Sequence, residues 1–294
     1  IPFRWSLNPY RGCQHACAYC YARSSHMHLD LGAGTDFDRT LVVKPQAARL
    51  LEAAFARRAW AGERIAFSGN TDCYQPLEAS YGLTRACLQV CARYRNPVSV
   101  ITKSALVERD LDVLTELHRV AECSVAISIP FWDADMARAV EPGVPTPARR
   151  LKALARLAEA GIRVGVMVAP IIPGLNDADI PRILTAARDA GAVFAGYTLL
   201  RLDPTVAQVF EGRLRAALPL RADRVLSQLA ECRGGDAGET RVGRRMRGVG
   251  NRWQATQRLF EATATRLGFG GEPQEPLATT FRRPGTVEQL ALWP

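Results

Sequence analysis

No apolar run among the 294 residues approaches the ~20 that a membrane helix needs, which excludes a helical span and sets the expectation of no membrane partner. Lysine is nearly absent. Lys44, Lys103 and Lys152 are the only lysines among 38 basic residues, so the formal net charge of +9 rests on arginine. The opening IPFRWSLNPYRG has neither a basic flank before an apolar core nor a small-residue cleavage site, and it does not read as a signal peptide. A start at Ile1 rather than Met points to residues upstream. Regular cysteine spacing is also missing. Eight thiols scattered irregularly do not make a secreted disulfide framework, and in a reducing cytoplasm, the expected compartment, such clusters hold metal or do chemistry.

What is present is ordinary globular material, 48% hydrophobic and 23% charged, which excludes disordered and collagenous chains. The basic balance permits anionic partners, nucleic acid foremost, without specifying one. Short apolar runs alternate with helix-like stretches: Ile65 to Ser68, Val98 to Thr102, Ser124 to Ile129, Ile162 to Val168 and Phe194 to Leu199. Their spacing is roughly the 30 residues of a βαβ unit. Ile162, Val164, Val166 and Val168 alternate with Arg163, Gly165 and Met167, while VSVIT and SVAISI are nearly continuous, as strands covered on both faces should be. Leu151, Leu154 and Leu157 fall at helical spacing before Gly161, and the junction Glu159-Ala160-Gly161 is echoed by Asp189-Ala190-Gly191.

With a first strand through Trp5 to Arg11, the chain supplies about six βα units, fewer than the eight of a closed barrel. The expected fold is α/β, a partial, open (β/α)6 TIM-like barrel over residues 1–210. A C-terminal helical extension and strap over 211–294 belongs to the same structural unit, with helical segments Ala222 to Glu231 and Trp253 to Leu267 around a flexible basic loop. The site belongs at the carboxyl ends of the strands, where the βα loops converge.

The chemistry concentrates in Gly12-Cys13-Gln14-His15-Ala16-Cys17-Ala18-Tyr19-Cys20, a C-x3-C-x2-C triplet after the first strand. Three thiolates so close can face one metal centre, and because an iron–sulfur cube needs four ligands, three cysteines leave one iron open. Structural zinc is the rival reading, with His15, His26 or His28 as fourth ligand, although zinc ligands more often come as two separated pairs. Core packing of all three fits the polar, turn-rich surroundings poorly.

This triplet resembles the hallmark C-x3-C-x-aromatic-C of the radical S-adenosylmethionine (SAM) superfamily, with Tyr19 as the aromatic residue. The chain is most similar to the spore photoproduct lyase-like, or DNA repair photolyase-like, branch. The blocks NPYRGCQHACAYCYAR, SGNTDCYQPLE, VITKS and AVEPGVPTPARRLKALARLAEAGIRVGVMVAPIIPG carry the likeness, between residues 8 and 174. It implies a [4Fe-4S] cluster on Cys13, Cys17 and Cys20, with the amino and carboxylate groups of S-adenosyl-L-methionine on the fourth iron. The implied activity is reductive cleavage of that cofactor to a 5′-deoxyadenosyl radical that abstracts hydrogen from a substrate. Damaged or modified nucleic acid is the first candidate substrate, and a peptide or small metabolite the alternative. An external one-electron reductant such as flavodoxin or ferredoxin is the implied partner. From another class, a non-catalytic zinc or iron–sulfur nucleic-acid-binding module stays open.

The residues match the resemblance block by block. Ser68, Gly69, Asn70 and Thr71 end the second strand, where glycine admits close backbone approach and small polar groups can bond an amino-acid moiety. Lys103 closes the third strand, where its ammonium can pair with the cofactor carboxylate. Ser128 and Glu141 match groups that bond the ribose or methionyl moiety, with turn capping the competing reading for Glu141. Ala169, in VAPI, is placed against the adenine. The lyase pattern has a hydrogen-donating cysteine at the position occupied here by Gly69, and Cys73 stands four residues later in the expected mouth, a candidate donor against a default of a passive loop thiol. Cys87, Cys91, Cys123 and Cys232 read as core, and His26 and His28 as solvated loop residues. Arg241, Arg244, Arg245 and Arg247, with Trp253, are candidates to grip phosphate and stack a base.

Overall fold

The computed structural model describes residues 3–235, 248–270 and 279–285. Six parallel strands run in sequence order: β1 (Trp5–Leu7), β2 (Ile65–Phe67), β3 (Val98–Thr102), β4 (Cys123–Ser128), β5 (Arg163–Ile171) and β6 (Phe194–Leu199). Each pairs with the next, from Trp5 opposite Ile65 to Gly165 opposite Phe194. Among the described residues β1 and β6 remain the edges, so this is the expected open barrel. Sequential parallel pairing requires a crossover between every pair of strands, and helices supply it. They are α1 (Ala47–Ala56), α2 (Leu83–Arg93), α3 (Leu111–Val120), α4 (Pro147–Glu159) and α5 (Ile180–Asp189), followed by α6 (Pro204–Ala217), α7 (Pro219–Cys232) and α8 (Gly250–Arg266).

Burial explains why the sequence patterns differ between strands. All six residues of β4 are buried, as its near-continuous apolar run requires, whereas on β5 Val164, Val166 and Val168 point inward while Arg163 and Met167 remain half-buried. On α4 the buried set is Pro147, Arg150, Ala153, Leu154 and Leu157, one stripe at helical spacing. Thr146 caps its first turn by accepting from Arg149 N at 3.3 Å. The repeated helix–Gly–strand junction has a backbone cause: Gly161 and Gly191 take φ +79° and +95°, the left-handed conformation that ends a helix.

The chain start departs from expectation. Instead of one strand from Trp5 to Arg11, β1 stops at Leu7, and Tyr10–Arg11 pairs antiparallel with Val42–Val43 in a separate ladder. Pro9 has no N–H to continue the parallel ladder, and its carbonyl accepts from Lys44 N at 3.0 Å. This break swings the cysteine loop over the barrel mouth. At the other end, helix α6 runs through position 210, where the core was expected to give way to the extension.

In the tail, residues 279–285 lie across the opposite face. Thr279 Oγ1 donates to Gly62 O and Thr280 Oγ1 to Arg95 O, both at 2.8 Å, while the Phe281 ring stacks on Tyr94 and meets Phe55 edge-on. No helix among the described residues is long and apolar enough to cross a membrane.

Close packing between β5 and β6 yields a test of the fold. A Cβ at Gly165 would stand 2.3 Å from the Phe194 ring, and Arg163 lies over that ring at 4.7 Å, which restricts its retreat. Gly165→Ala is expected to cost about 1–3 kcal/mol in chemical denaturation, the range for overpacking.

Candidate functional site

The cysteine loop leaves the β1 edge, crosses the barrel mouth and is held by backbone bonds at both flanks. Cys13 N donates to Phe37 O at 3.0 Å, Ala18 N to Val140 O at 2.9 Å and Cys20 N to Cys17 O at 3.2 Å. Cys13 and Cys17 are 6% and 7% exposed. Burial first, then the Glu141 carboxylate, pushes the Cys17 thiol well above its ordinary value, and burial and Cys13 raise Cys20 to about 11. The thiols therefore feel one another and repel as thiolates. A cationic metal centre is what such a set requires to deprotonate.

Among the described residues, no three His, Cys, Asp or Glu side chains converge tightly enough for a single metal ion. A cube asks for a wider set, because each cysteine takes its own iron. Of the histidines that a zinc site would recruit, His15 stands beside Cys13. Burial lowers its pKa, but Cys13 and Asp72 outweigh burial, raise it to about 10 and favour the protonated ring, which cannot ligate. His26 is engaged elsewhere and His28 faces outward. His15 Nδ1 lies 3.3 Å from Asp72 Oδ2, His26 Nε2 bonds Thr40 O at 2.9 Å, and His28 is exposed. His26, expected to be solvated, is fully buried against Phe37, because its ring packs under the cysteine loop. Three soft thiolates with no fourth protein ligand in place suit an iron–sulfur cube.

Facing the loop are the carboxyl ends of β3, β4 and β5, where the expected cofactor residues meet. The Tyr19 hydroxyl donates to Glu141 Oε1, and Lys103 Nζ lies 3.7 Å from the same oxygen while donating to Ala169 O at 3.0 Å. On the far side Arg150, fully buried, donates through Nη2 to Glu141 Oε2 at 2.9 Å and through Nη1 to Ser128 O at 2.8 Å. Its Nε is buried with no partner. One carboxylate thus joins the cysteine loop to three strand ends. Burial, the largest influence on Glu141, favours its neutral form, but Arg150 and then Lys103 outweigh it and hold the carboxyl below its ordinary value. Burial and Glu141 push the Tyr19 phenol well up, so it remains a donor. Glu141 is therefore a buried charge hub rather than a turn cap.

The end of β2 is built differently from the expectation. Ser68, Gly69 and Asn70 are half-buried at the mouth, but much of their polarity serves the fold. Ser68 Oγ accepts from Cys73 N at 3.0 Å, Thr71 Oγ1 donates to Gly12 O at 2.6 Å, and Asn70 N donates to Asn8 Oδ1 at 2.7 Å. A Cβ at Gly69 would stand 2.8 Å from Ser6 Cβ, so packing against β1 alone accounts for glycine there. Gln75, from the same block, donates to Gly12 O at 3.0 Å and accepts from Gln14 N at 2.9 Å. Much of SGNTDCYQ is thus a clasp on the cysteine loop.

Cys73 requires a correction. It is fully buried in the main core rather than exposed in the mouth, and burial followed by the neighbouring Asp72 pushes its thiol well above the ordinary value. Thr84 Oγ1 also donates to its carbonyl at 2.6 Å, so the segment turns inward to meet α2. As placed, the thiol is closed to a substrate. Cys87, Cys91, Cys123 and Cys232 are fully buried in the same core, as expected. Trp253, proposed to stack a base, is 3% exposed and packs against Tyr197 at 5.9 Å because α8 lays it on β6. Arg241, Arg244, Arg245 and Arg247 lie outside the described residues.

Sequence reasoning missed two anchors. Asp72 accepts from Thr102 Oγ1 at 2.6 Å, Lys103 N at 2.8 Å and Tyr74 N at 2.9 Å, fixing the β3 end beneath Lys103. Burial alone would raise its carboxyl, but His15, then the Lys103 amide and the Thr102 hydroxyl, lower it to about 2. Arg150 sat inside a recognised block as one of many arginines. The available signal was its register: it shares the helix stripe of Leu154 and Leu157, where an arginine must be buried and paired.

An open parallel α/β barrel with a three-cysteine loop over the carboxyl ends of its strands defines a class of cluster-dependent, cofactor-binding barrels. The radical SAM superfamily matches residues 7–187, more than half of the sequence, and the chain belongs to that superfamily. An uncharacterized protein of Mycobacterium tuberculosis is 40% identical over 204 residues, 69% of this chain and 59% of that protein. One from Methanocaldococcus jannaschii is 31% identical over 176 residues, 60% of this chain and 63% of that relative. The match thus spans less than two thirds of these relatives. Among solved structures, a spore photoproduct lyase variant superposes with a TM-score of 0.65 at 15% identity, covering 90% of this chain and 74% of that one. A second variant, with bound AdoMet and dinucleoside spore photoproduct, gives 0.63 at 17% identity over 90% and 73%. At these identities the likeness is one of fold.

Proposed function

We propose that this chain is a radical SAM enzyme that uses a [4Fe-4S] cluster on Cys13, Cys17 and Cys20 to cleave S-adenosyl-L-methionine and abstract hydrogen from a substrate. The observation that carries this reading is the Glu141 hub, because Tyr19 of the cysteine loop and Lys103 at the β3 end share one buried carboxylate. When bound, the cluster supplies the electron that splits the cofactor sulfonium to methionine and a 5′-deoxyadenosyl radical.

The chain's own residues bind and orient. Lys103 carries a positive charge at 15% exposure beside the cysteine loop, and it can exchange the Ala169 carbonyl for a ligand carboxylate. Glu141 and Arg150 fix the height of that ammonium, and the half-buried Ser68–Asn70 edge closes the other side. As a first substrate class we take damaged or modified nucleic acid. Two observations favour it: the net charge of +9 and the rim pair Tyr21–Arg201. The Tyr21 ring is 48% exposed beside Cys20, its hydroxyl donates to Gly69 O at 2.7 Å, and the Arg201 guanidinium lies 5.5 Å from the ring centroid. A flat ring with an arginine above it suits a base next to a phosphate. The lyase-like fold of a protein solved with a dinucleoside photoproduct supports the same class.

The test is anaerobic reconstitution, then incubation with dithionite and S-adenosyl-L-methionine, with 5′-deoxyadenosine as readout. Formation of 5′-deoxyadenosine is expected, and stoichiometric zinc with no cleavage would establish a binding module instead. Irradiated against unirradiated oligonucleotide then tests the substrate. Lys103→Ala should leave iron content unchanged and weaken cofactor binding by about 1–3 kcal/mol, the worth of a charge-assisted bond. Unchanged affinity by equilibrium dialysis would remove Lys103 from the cofactor site.

A further inference from the structure

Arg23 lies three residues beyond the last cysteine of the triplet and is 1% exposed, an unusual place for a guanidinium. It makes four hydrogen bonds. Nε donates to the Cys17 carbonyl at 2.8 Å, Nη1 to Ala33 O at 2.9 Å and Gly34 O at 2.8 Å, and Nη2 to Asp38 Oδ1 at 2.7 Å. The segment it grips also holds Cys13, whose N–H donates to Phe37 O, and Arg23 stacks 5.0 Å above the Phe37 ring. One planar fork therefore ties the carbonyl of one proposed ligand to the platform that fixes another. Lysine, with a single ammonium, cannot make this pattern.

Such a group also acts electrostatically. A buried charge is little screened by salt, and cluster potentials depend on net charge, hydrogen bonding and exposure around the sulfurs. The counter-charge to Arg23, Asp38, is half-buried with its side chain 23% exposed, so the pair leaves an asymmetric field with the cation on the loop side.

We propose that Arg23 is a positioning residue that locks the cysteine loop and, with Asp38 opposing it, sets the reduction potential of the cluster held there. The proposal rests on the iron–sulfur reading above. Reduction adds negative charge, so a nearby cation stabilises the reduced state and a nearby anion destabilises it. Loss of the cation and loss of the anion must therefore move the potential in opposite directions. A residue that only braces the loop has no reason to produce opposite signs.

The experiment compares wild type with Arg23→Gln, Arg23→Lys and Asp38→Asn after anaerobic reconstitution, reading iron per chain and the midpoint potential by spectroscopically monitored titration. Arg23→Gln should shift the midpoint to more negative values, Asp38→Asn to more positive values, and Arg23→Lys should lie between Arg23→Gln and wild type while loading less iron than wild type. If Arg23→Gln does not retain a cluster, Asp38→Asn and Arg23→Lys still give the sign. Unmoved midpoints in loaded variants, or shifts of one sign for both charges, would overturn the proposal. A wild-type chain that takes up no iron–sulfur cluster would instead overturn the reading beneath it.

Discussion

Cys17→Ala is expected to yield colourless protein with most of its iron lost and 5′-deoxyadenosine formation abolished. Cys17 is the middle cysteine of the triplet, and two devices fix its place: the Arg23 guanidinium on its carbonyl and the Cys20 amide on the same oxygen. Alanine preserves this backbone frame, so folding should survive and the loss should fall on metal binding. No substitute thiol stands ready, because Cys73, Cys87, Cys91, Cys123 and Cys232 are committed to the core. With two protein ligands, a cube would have two irons open rather than one. The measurement is iron and sulfide per chain beside a thermal melt. Wild-type iron in the variant would place the cluster elsewhere.

Most of the barrel was legible because parallel strands buried on both faces write themselves as apolar runs. Val98 to Thr102 and Phe194 to Leu199 match their expected limits. The start of the chain was less legible. Trp5 to Arg11 was read as one strand although Asn8-Pro9 interrupts it, and the Val42–Val43 partner that takes up Tyr10 and Arg11 lies more than thirty residues on. The strap was anticipated as a class of feature, but its landing place on Phe55 and Tyr94 was not.

The site divides on the same line. The cysteine triplet is local, so spacing alone points to a metal. Glu141, Lys103 and Ala169 were found through the resemblance, yet their mutual contact joins positions up to 66 residues apart and is invisible in the string. Arg23, Asp72 and Arg150 were overlooked for one reason. Charged residues are read as exposed unless a partner is known, and the partner is a property of the fold. Cys73, His26 and Trp253 show the reverse error, in which side chains expected in the mouth, in solvent and against nucleic acid, respectively, are buried in packing by the structure.

Glu141→Gln is expected to destabilise the fold by about 3–5 kcal/mol, the cost of leaving a buried charge without its counter-ion. Arg150 is fully buried and draws its only side-chain bond from this carboxylate among its described contacts, the other bond going to the Ser128 carbonyl. A neutral amide can accept one bond from Arg150 but cannot balance its charge, and it places a second donor against Lys103 or Tyr19. The wild-type charge is worth most where the carboxyl is ionised. Because the folded-state value lies below the ordinary 4.5, this stabilisation is present above that value and is lost as pH falls through the lower folded value. Urea denaturation should therefore show a gap between wild type and Glu141→Gln at neutral pH that narrows in acid. The double variant Glu141→Gln with Arg150→Met should recover part of the loss, since it also removes the fully buried cation and leaves only the partly exposed Lys103 without its carboxylate. A constant gap across pH, or additive losses in the double variant, would mean that Glu141 contributes by shape and not as the charge that joins the cysteine loop to the strand ends.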